Sequence, residues 1–292
     1  MKNKMSEFIV HRFLNYIEII GISTIKFVEG VGYYFALLVE SSAWVIAGPF
    51  YKQPVRIPSV FAQMMTIGIA ACPIVFILSF SIGVMLAIQM IYNLKTFGAE
   101  SQVVVGVALS VTREFAPLIT GILIAGRTGS ALAAKLGTMQ VNQEIDALRV
   151  MGINPIRYLV SPALLAMLIM MPVLTFFADI AGLLGGALYT GIEIGLSFSA
   201  YTDRTLAALM VSDVMQGLFK SLIFALIITL VGASNGFSVS GGAEGVGKAT
   251  TRSVVLSISF IVIDGNFKEE YFSFKSIKKK YSMTAEQEKQ LT

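Results

Sequence analysis

Four ionisable residues lie within long apolar stretches of this sequence, and they are its best candidates for chemistry. Arg113 and Glu114 are adjacent in one stretch, and Asp179 and Lys220 follow in two later ones. An ionisable side chain in hydrocarbon is costly unless it is paired or hydrated, so such residues mark helix contacts or polar transport routes. Adjacent helical residues diverge by about 100°, so Arg113 and Glu114 need separate partners. Lys220 is a candidate partner for Glu114, either as a clamp between helices or within a hydrated route.

Patterns typical of enzymes are weak in the rest of the chain. Residues 242–248 have the G-x-x-x-x-G-K spacing of a phosphate-binding loop, but Ala249 stands where Ser or Thr would hold magnesium, and a strand should come before it. We interpret this segment as a flexible turn. His11, the only histidine, has no cysteine or second histidine with which to form a metal set. The sequence therefore predicts no catalytic residue, no metal site, no cofactor and no enzymatic activity.

The composition argues against a soluble globular protein. Of the 292 residues, 55% are hydrophobic and 14% are charged, whereas about a quarter of the residues of a soluble domain are charged. The mean hydropathy is +0.75, and the apolar residues form blocks long enough to cross the roughly 30 Å of a bilayer's hydrocarbon core. The net charge of +4 comes from scattered basic residues, unlike the basic stripe of a nucleic-acid-binding protein. The chain is therefore predicted to be an integral membrane protein without a nucleic-acid partner.

The apolar blocks predict an all-α fold with about five transmembrane helices. Pro73 is expected to kink the first of these helices. A fifth block begins near Thr250 but reaches Asp264 after the apolar run 254–263, so its helix is expected to be short. The four clear blocks are residues 64–90, 103–125, 159–189 and 214–233.

The N-terminal region is expected to lie at the membrane surface. Polar residues recur at steps of three or four over residues 6–29, with apolar residues between them, which is typical of an interfacial helix. Residues 31–44 are apolar except for Glu40 and precede several prolines, so we favour a second interfacial or re-entrant helix over a short span. The chain thus divides into an N-terminal amphipathic region, a transmembrane domain and a polar basic tail, at residues 1–60, 61–263 and 264–292.

The basic residues of the loops predict the orientation of the chain. Lys and Arg in short loops stay on the cytoplasmic side, and four such residues lie between the second and third blocks: Arg127, Lys135, Arg149 and Arg157. This link and the N-terminus are therefore predicted to be cytoplasmic. Five spans place the tail outside, although its lysines 278–280 favour the inside. We expect the last helix to cross and the tail to lie outside.

Residues 113–162 carry a resemblance to a known family. The matching pieces are REFAP at the start, then AGRTGSALAAKLGTM, and then EIDALRVMGINP before the third block. A further piece, ATTRSVV at residues 249–255, lies where the family begins its last helix. The chain resembles the MlaE permeases, the membrane subunits of ABC transporters that act with MCE proteins on lipids. It departs from the family pattern at Asp264, where it becomes polar.

The resemblance implies a homodimeric permease of the bacterial inner membrane that moves phospholipids or related lipids between membranes. A separate cytoplasmic ATPase would drive it, and an MCE-domain protein would bind outside. In the family, a coupling helix between the second and third spans docks into the ATPase. That helix corresponds here to residues 141–151, and the residues expected to contact the ATPase are Glu144, Ile145, Asp146, Leu148 and Arg149.

The resemblance also implies an apolar lipid cavity between the two protomers, open towards the outer side. Helical residues at steps of three or four share a face, and four such residues end the first block. From residue types alone, that face is as readily exposed to the bilayer. The predicted lining combines these four residues with the charged ones: Leu86, Met90, Leu94, Phe97, Arg113, Glu114 and Lys220.

Two other functions remain open from the residues themselves. An ion-coupled secondary transporter would use the intramembrane Arg113, Glu114, Asp179 and Lys220 as coupling groups. A membrane scaffold without transport activity would tolerate changes to these charges. Transport by the purified chain alone along an ion gradient would distinguish the first of these from an ATPase-driven permease.

Overall fold

The computed structural model describes residues 25, 28–46, 48 and 56–265, and this part of the chain is almost entirely helical, without a strand. We number its helices α1 to α8. Helices α2, α3, α5, α7 and α8 are each long and apolar enough to span a membrane, which confirms the predicted all-α fold with five spans. The bounds are α1, 28–46; α2, Ile57–Lys95; α3, Glu100–Val141; α4, Glu144–Val150; α5, Ile156–Ile194; α6, Phe198–Ala208; α7, Val211–Phe237; and α8, Gly242–Gly265.

Three of the long helices contain wider π turns. A π turn inserts an extra residue into the helical ladder and is frequent at functional sites. In α2 one such turn is followed by an interruption at residues 70–71, directly before the segment Cys72–Lys95. Pro73 lies in the first turn of that segment, where its missing N–H costs no hydrogen bond. Helix α2 is thus interrupted directly before Pro73, and the kink at Pro73 stays a prediction. The π turns are Met65–Ile69, Val111–Phe115, Ala125–Gly129 and Ile156–Val160.

Helix α5 is at the centre of the helix bundle and packs against α2, α3 and α7. Its closest approach to α2 is at Gly83 and Gly182. A Cβ atom on Gly83 would lie 1.9 Å from the carbonyl oxygen of Gly182, so only glycine fits there. Without a hydrophobic force between helices in lipid, such close backbone packing is a main source of helix association. The core around it includes Val75, Ala87, Val107, Met171, Leu174 and Phe224.

Helix α1 packs against the link that precedes α5 and against the first turn of α5. Asn154 Nδ2 donates to Glu40 Oε1 at 2.8 Å, and the Arg157 guanidinium lies over the Trp44 ring at 5.3 Å from its centre. The helix predicted at residues 31–44 therefore exists and is slightly longer, and its interfacial placement stays a prediction. The predicted helix at 6–29 lies outside the described residues except for positions 25, 28 and 29, and so does the tail after 265.

The last helix is longer than the sequence analysis predicted. Helix α8 begins at Gly242, not near Thr250, and it has 24 residues. The segment 242–248, which we interpreted as a flexible turn, forms its first two turns. Lys248 and Glu244 are four residues apart and form an ion pair of 2.7 Å there, an arrangement that supports a helix. The helix is therefore long enough to span, because it gains length at its start.

Candidate functional site

Helices α3 and α7 cross at Gly217, at the level of the π turn Val111–Phe115. A Cβ atom on Gly217 would lie 2.2 Å from the carbonyl oxygen of Thr112. No real Cβ atom tolerates that distance, so the two backbones are in direct contact. Every charged residue described in the next three paragraphs lies within two helical turns of this crossing.

The first ion pair joins Arg113 of α3 to Asp213 of α7. Arg113 donates from Nη2 to Asp213 Oδ1 at 2.6 Å and from Nε to the same oxygen at 3.0 Å. The other oxygen, Oδ2, accepts from the backbone N–H of Met210 at 2.9 Å. The Asp213 side chain is 6% exposed, whereas that of Arg113 is 44% exposed. A buried carboxylate is thus fully satisfied, and part of the guanidinium remains accessible.

The second ion pair joins Glu114 of α3 to Lys220 of α7, as the sequence analysis predicted. The Lys220 side chain is 2% exposed, and it is one of the largest fully buried side chains in the described part of the chain. Glu114 remains partly exposed, at 29%. An unpaired ammonium at this depth would be strongly destabilising. The pair therefore holds two spans together.

The spacing of the residues explains how both pairs form at one crossing. Asp213, Gly217 and Lys220 are four and three residues apart, so they share one face of α7. Arg113 and Glu114 diverge around α3, and each reaches a partner on a different side of Gly217. Each pair is formally neutral, and the two have opposite polarity, so each helix contributes one positive and one negative charge. The crossing is a polar, charge-balanced point inside an apolar bundle.

Sequence analysis missed Asp213 because it lies directly before the apolar block that it helps to anchor. A signal was present, since Asp213 is seven residues before Lys220 and therefore shares its face of the helix. Its position in the first turn of α7 also has an ordinary structural explanation. A carboxylate there accepts from free backbone N–H groups and interacts favourably with the helix dipole.

Asp179 of α5 does not join the other intramembrane charges in a hydrogen bond or ion pair. It is 3% exposed, and in the described part of the chain neither carboxylate oxygen has a hydrogen-bond partner. Thr175, one turn earlier on the same face, is also buried with an unpartnered hydroxyl. Of the four intramembrane charges that a secondary transporter would use, three therefore lie at the α3–α7 crossing, and Asp179 is separate from them.

The four predicted apolar cavity residues do not form one surface. Leu86 is buried in the core of the protomer, and Met90 packs against Gly106 of α3. Leu94 is partly buried, whereas Phe97 is 81% exposed. Helix α2 ends at Lys95, so Phe97 no longer follows the helical register on which the prediction depended. The prediction that these four residues share one face is therefore wrong, and their role in a lipid cavity stays a prediction.

The predicted coupling helix corresponds to α4, and its apolar residues face inward. Ile145 is fully buried and Leu148 nearly so, packed with Leu136, Leu159, Val160 and Ala233. Ile145 and Leu148, which were expected among the ATPase contacts, are therefore buried by the permease itself. Glu144, Asp146 and Arg149 are exposed, and Arg149 Nη1 lies 3.2 Å from Asp146 Oδ1. Two exposed apolar residues, Val150 and Met151, lie at the end of α4.

The described residues contain no cluster of three His, Cys, Asp or Glu side chains that could hold a metal ion. Both carboxylates of the crossing are already engaged by basic side chains.

Comparison with known proteins gives a match to the family model described as Permease MlaE over residues 60–265. That range covers most of the chain and contains nearly all of α2 to α8. The chain belongs to the MlaE permease family.

Individual relatives support membership of the MlaE family over most of the chain. A probable ABC transporter permease protein of Rickettsia typhi is 35% identical over 90% of this chain and 99% of its own length. The intermembrane phospholipid transport system permease protein MlaE of Haemophilus influenzae is 30% identical over 87% of this chain and 95% of its length. The chloroplastic protein TRIGALACTOSYLDIACYLGLYCEROL 1 of Arabidopsis thaliana is 38% identical over 62% and 52%.

These findings confirm the resemblance that residues 113–162 and 249–255 indicated. The chain is a multi-pass membrane protein and an ABC transporter permease of the MlaE family. Such a permease is a transport component and not itself an enzyme. The charged crossing and α4 are therefore parts of a transport subunit.

Proposed function

We propose that this permease moves phospholipids or related lipids between membranes and that a separate cytoplasmic ATPase drives it. The Haemophilus relative is named for intermembrane phospholipid transport and aligns over 95% of its length. The Arabidopsis relative is named after a diacylglycerol lipid. We place the chain in a bacterial inner membrane as a homodimer, with an MCE-domain protein bound on the outer side.

The α3–α7 crossing is the observation that carries this proposal. A guanidinium binds phosphate through two parallel N–H donors, and such charge-assisted bonds are strong. Arg113 uses two of its nitrogens on one oxygen of Asp213, and its side chain is still 44% exposed. It therefore has donors left for a lipid phosphate in the wall of the proposed cavity. Lys220 is buried against Glu114 and has the structural role.

Helix α4 supports coupling to an ATPase. Its exposed face carries Glu144, Asp146 and Arg149, followed by Val150 and Met151. Its buried face packs on α3, α5 and α7 through Ile145 and Leu148. A partner that binds the exposed face can thus move three spans through a rigid contact. Protein interfaces combine polar residues at the rim with apolar residues in the core, and the exposed residues of α4 include both kinds.

A reconstituted transfer assay tests the proposal. The permease is purified with the ATPase and MCE-domain protein that accompany it, and transfer of a fluorescent phospholipid between vesicles is followed with and without ATP. We expect ATP-dependent transfer that Arg113→Met lowers at least tenfold and that Arg113→Lys only partly restores, because Lys lacks the planar fork. Lys248→Met, at an exposed position of α8, is the control and should leave transfer unchanged. ATP-independent transfer, or full activity of Arg113→Met, would contradict the proposal.

A second candidate, the ion-coupled secondary transporter, is favoured by Asp179 alone. A buried carboxyl without a hydrogen-bond partner in the described structure is suited to taking up and releasing a proton or cation during transport. The test is lipid or solute transport by the purified chain alone under a proton gradient. Transport that requires no ATPase and is lost in Asp179→Asn would favour this function over the first.

A further inference from the structure

A cavity of about 200 Å³ opens between the starts of α2 and α5 and the ends of α3 and α7. It is distinct from the α3–α7 crossing and from the residues predicted to line an outer cavity. Its walls come from four spans, so it belongs to the folded body of the permease. The residues that decide its chemistry are Gln63, Ile67, Thr128, Lys135, Met167 and Ile228.

In the orientation that the basic residues predict, the cavity lies at the cytoplasmic boundary of the membrane. Lys135 is six residues before the end of α3, and Gln63 is six residues after the start of α2, which corresponds to about 9 Å from each end. Both of these helix ends are on the side of α4. The link around α4 carries the basic residues that stay in the cytoplasm. The cavity is therefore at the depth where acyl chains meet the headgroups of the cytoplasmic leaflet.

The lining separates an apolar floor from a basic rim. Ile67, Met167 and Ile228 are buried and form the floor. At the rim, Lys135 forms no ion pair with any described acidic residue, and no carboxylate lines the cavity. The positive charge is thus not neutralised locally. A ligand with an apolar chain and an anionic head matches both parts.

We propose that this cavity binds one acyl chain of an anionic phospholipid of the cytoplasmic leaflet, with the headgroup phosphate held by Lys135. A Lys ammonium is a common partner for phosphate as a point charge. A cavity of about 200 Å³ has room for a segment of one chain and not for a whole lipid. The headgroup therefore stays at the opening, beside Lys135. The proposal concerns binding in the cytoplasmic leaflet and holds whether or not the permease transports that lipid.

Site-resolved photolabelling of the full chain tests this proposal. The permease is placed in nanodiscs that contain a small fraction of phosphatidylglycerol with a diazirine on its acyl chain, and labelled residues are mapped by mass spectrometry. We expect labelling at Ile67, Met167 or Ile228 to be at least fivefold stronger than with phosphatidylcholine that carries the same chain. Labelling of Phe177, an exposed residue of α5, should be equal for the two probes and gives the internal reference.

Substitutions test the headgroup contact and the acyl-chain cavity separately. Lys135→Glu should lower cavity labelling by phosphatidylglycerol at least fivefold, whereas Lys248→Glu makes the same charge change on α8 and should have no effect. Ala163→Leu, at a buried wall position, should lower labelling by both probes. If it does not fold, Lys135→Gln, at an exposed position, still tests the charge. Equal labelling by the two probes, no cavity labelling, or an unchanged Lys135→Glu would overturn the proposal. None of these readouts depends on ATP or on transport.

Discussion

The α3–α7 crossing and helix α4 use similar residues in opposite ways. Each contains acidic and basic side chains within a few residues of one another. At the crossing the two charges of α7, Asp213 and Lys220, point into the bundle and are almost fully buried. In α4 the charges are exposed, and the apolar Ile145 and Leu148 are buried.

This difference decides what each region can do. Buried charges must be paired, because removal of one partner leaves an uncompensated charge in a medium of low dielectric constant. Exposed charges are solvated and contribute little to stability. The crossing is thus part of what holds the fold together, and the charges of α4 are available to a partner. Changes to the two regions should therefore separate stability from partner binding.

The largest expected effect comes from the glycine at the centre of the crossing. Gly217→Ala would place a Cβ atom 2.2 Å from Thr112 O, so α3 and α7 must separate and strain both ion pairs. We expect a loss of stability of about 4 kcal/mol or more, which is exceptional for one methyl group. Thermal unfolding in detergent measures it. Gly247→Ala, in an open position of α8, is the control, and equal stability of the two variants would mean that the close crossing is wrong.

Breaking the Glu114–Lys220 pair should have the next largest effect. Glu114→Gln leaves the Lys220 ammonium buried without its counter-ion, and we expect a cost of about 3–5 kcal/mol. Lys220→Met should cost less, because the Glu114 side chain is partly exposed. The double variant should cost less than the sum of the two changes, and a double-mutant cycle measures that coupling. Strictly additive costs would show that the pair does not exist.

Truncation of a buried apolar residue of α4 should lower the stability of the permease. Ile145→Ala removes a fully buried side chain from the cluster with Leu136 and Ala233, and we expect a cost of about 2–4 kcal/mol. Val150→Ala, at a position that is 89% exposed, is the matched control and should cost little. Thermal unfolding of the isolated permease checks both. If Ile145→Ala were as stable as the control, Ile145 would be free to face a partner as the sequence analysis expected.

Arg113→Met should cost about 2 kcal/mol, less than the loss of the other pair. Asp213 keeps its hydrogen bond from the Met210 N–H, a bond to a charged group worth about 1.5–3 kcal/mol. The positive end of the α7 dipole also favours its charge. Asp213→Asn should be similarly mild. A cost for Arg113→Met as large as that for Glu114→Gln would contradict the proposed difference between the two pairs.

The energetics of burial explain which features could be predicted from the sequence. The five spans were predictable because their apolar blocks are long enough to cross a bilayer. The Glu114–Lys220 pair was predictable because hydrocarbon imposes a large cost on a lone charge. Asp213 was not, because a carboxylate in the first turn of a helix is common without any partner. The start of α8 was missed because four of residues 241–248 are glycines, and that composition favours a turn over a helix.

The inward direction of Ile145 and Leu148 was missed for a different reason. The pattern of α4 shows that it has one apolar and one charged side. It does not show whether the apolar side meets the permease itself or another protein, because both burials satisfy the same physics. Only the contacts with Leu136, Leu159 and Ala233 decide the matter.

The smallest effect on stability should come from Glu144→Lys with Asp146→Lys. This double change removes the exposed pair with Arg149 and the acidic residues of the first turn of α4. Each contribution is worth about 0.3–1 kcal/mol, so the permease should unfold within a few degrees of the wild type. Its charged face is reversed, however, and we expect the cytoplasmic ATPase to be lost on co-purification.

The Ile145→Ala variant makes this last prediction specific. It keeps the charged face of α4 and weakens its attachment, so it should retain the ATPase at low temperature while it lowers the unfolding temperature. The charge-reversed variant should show the opposite combination. If the charge-reversed permease still co-purified with the ATPase in full amount, the exposed acids of α4 would not form the docking surface, and Val150 and Met151 would be the residues to change next.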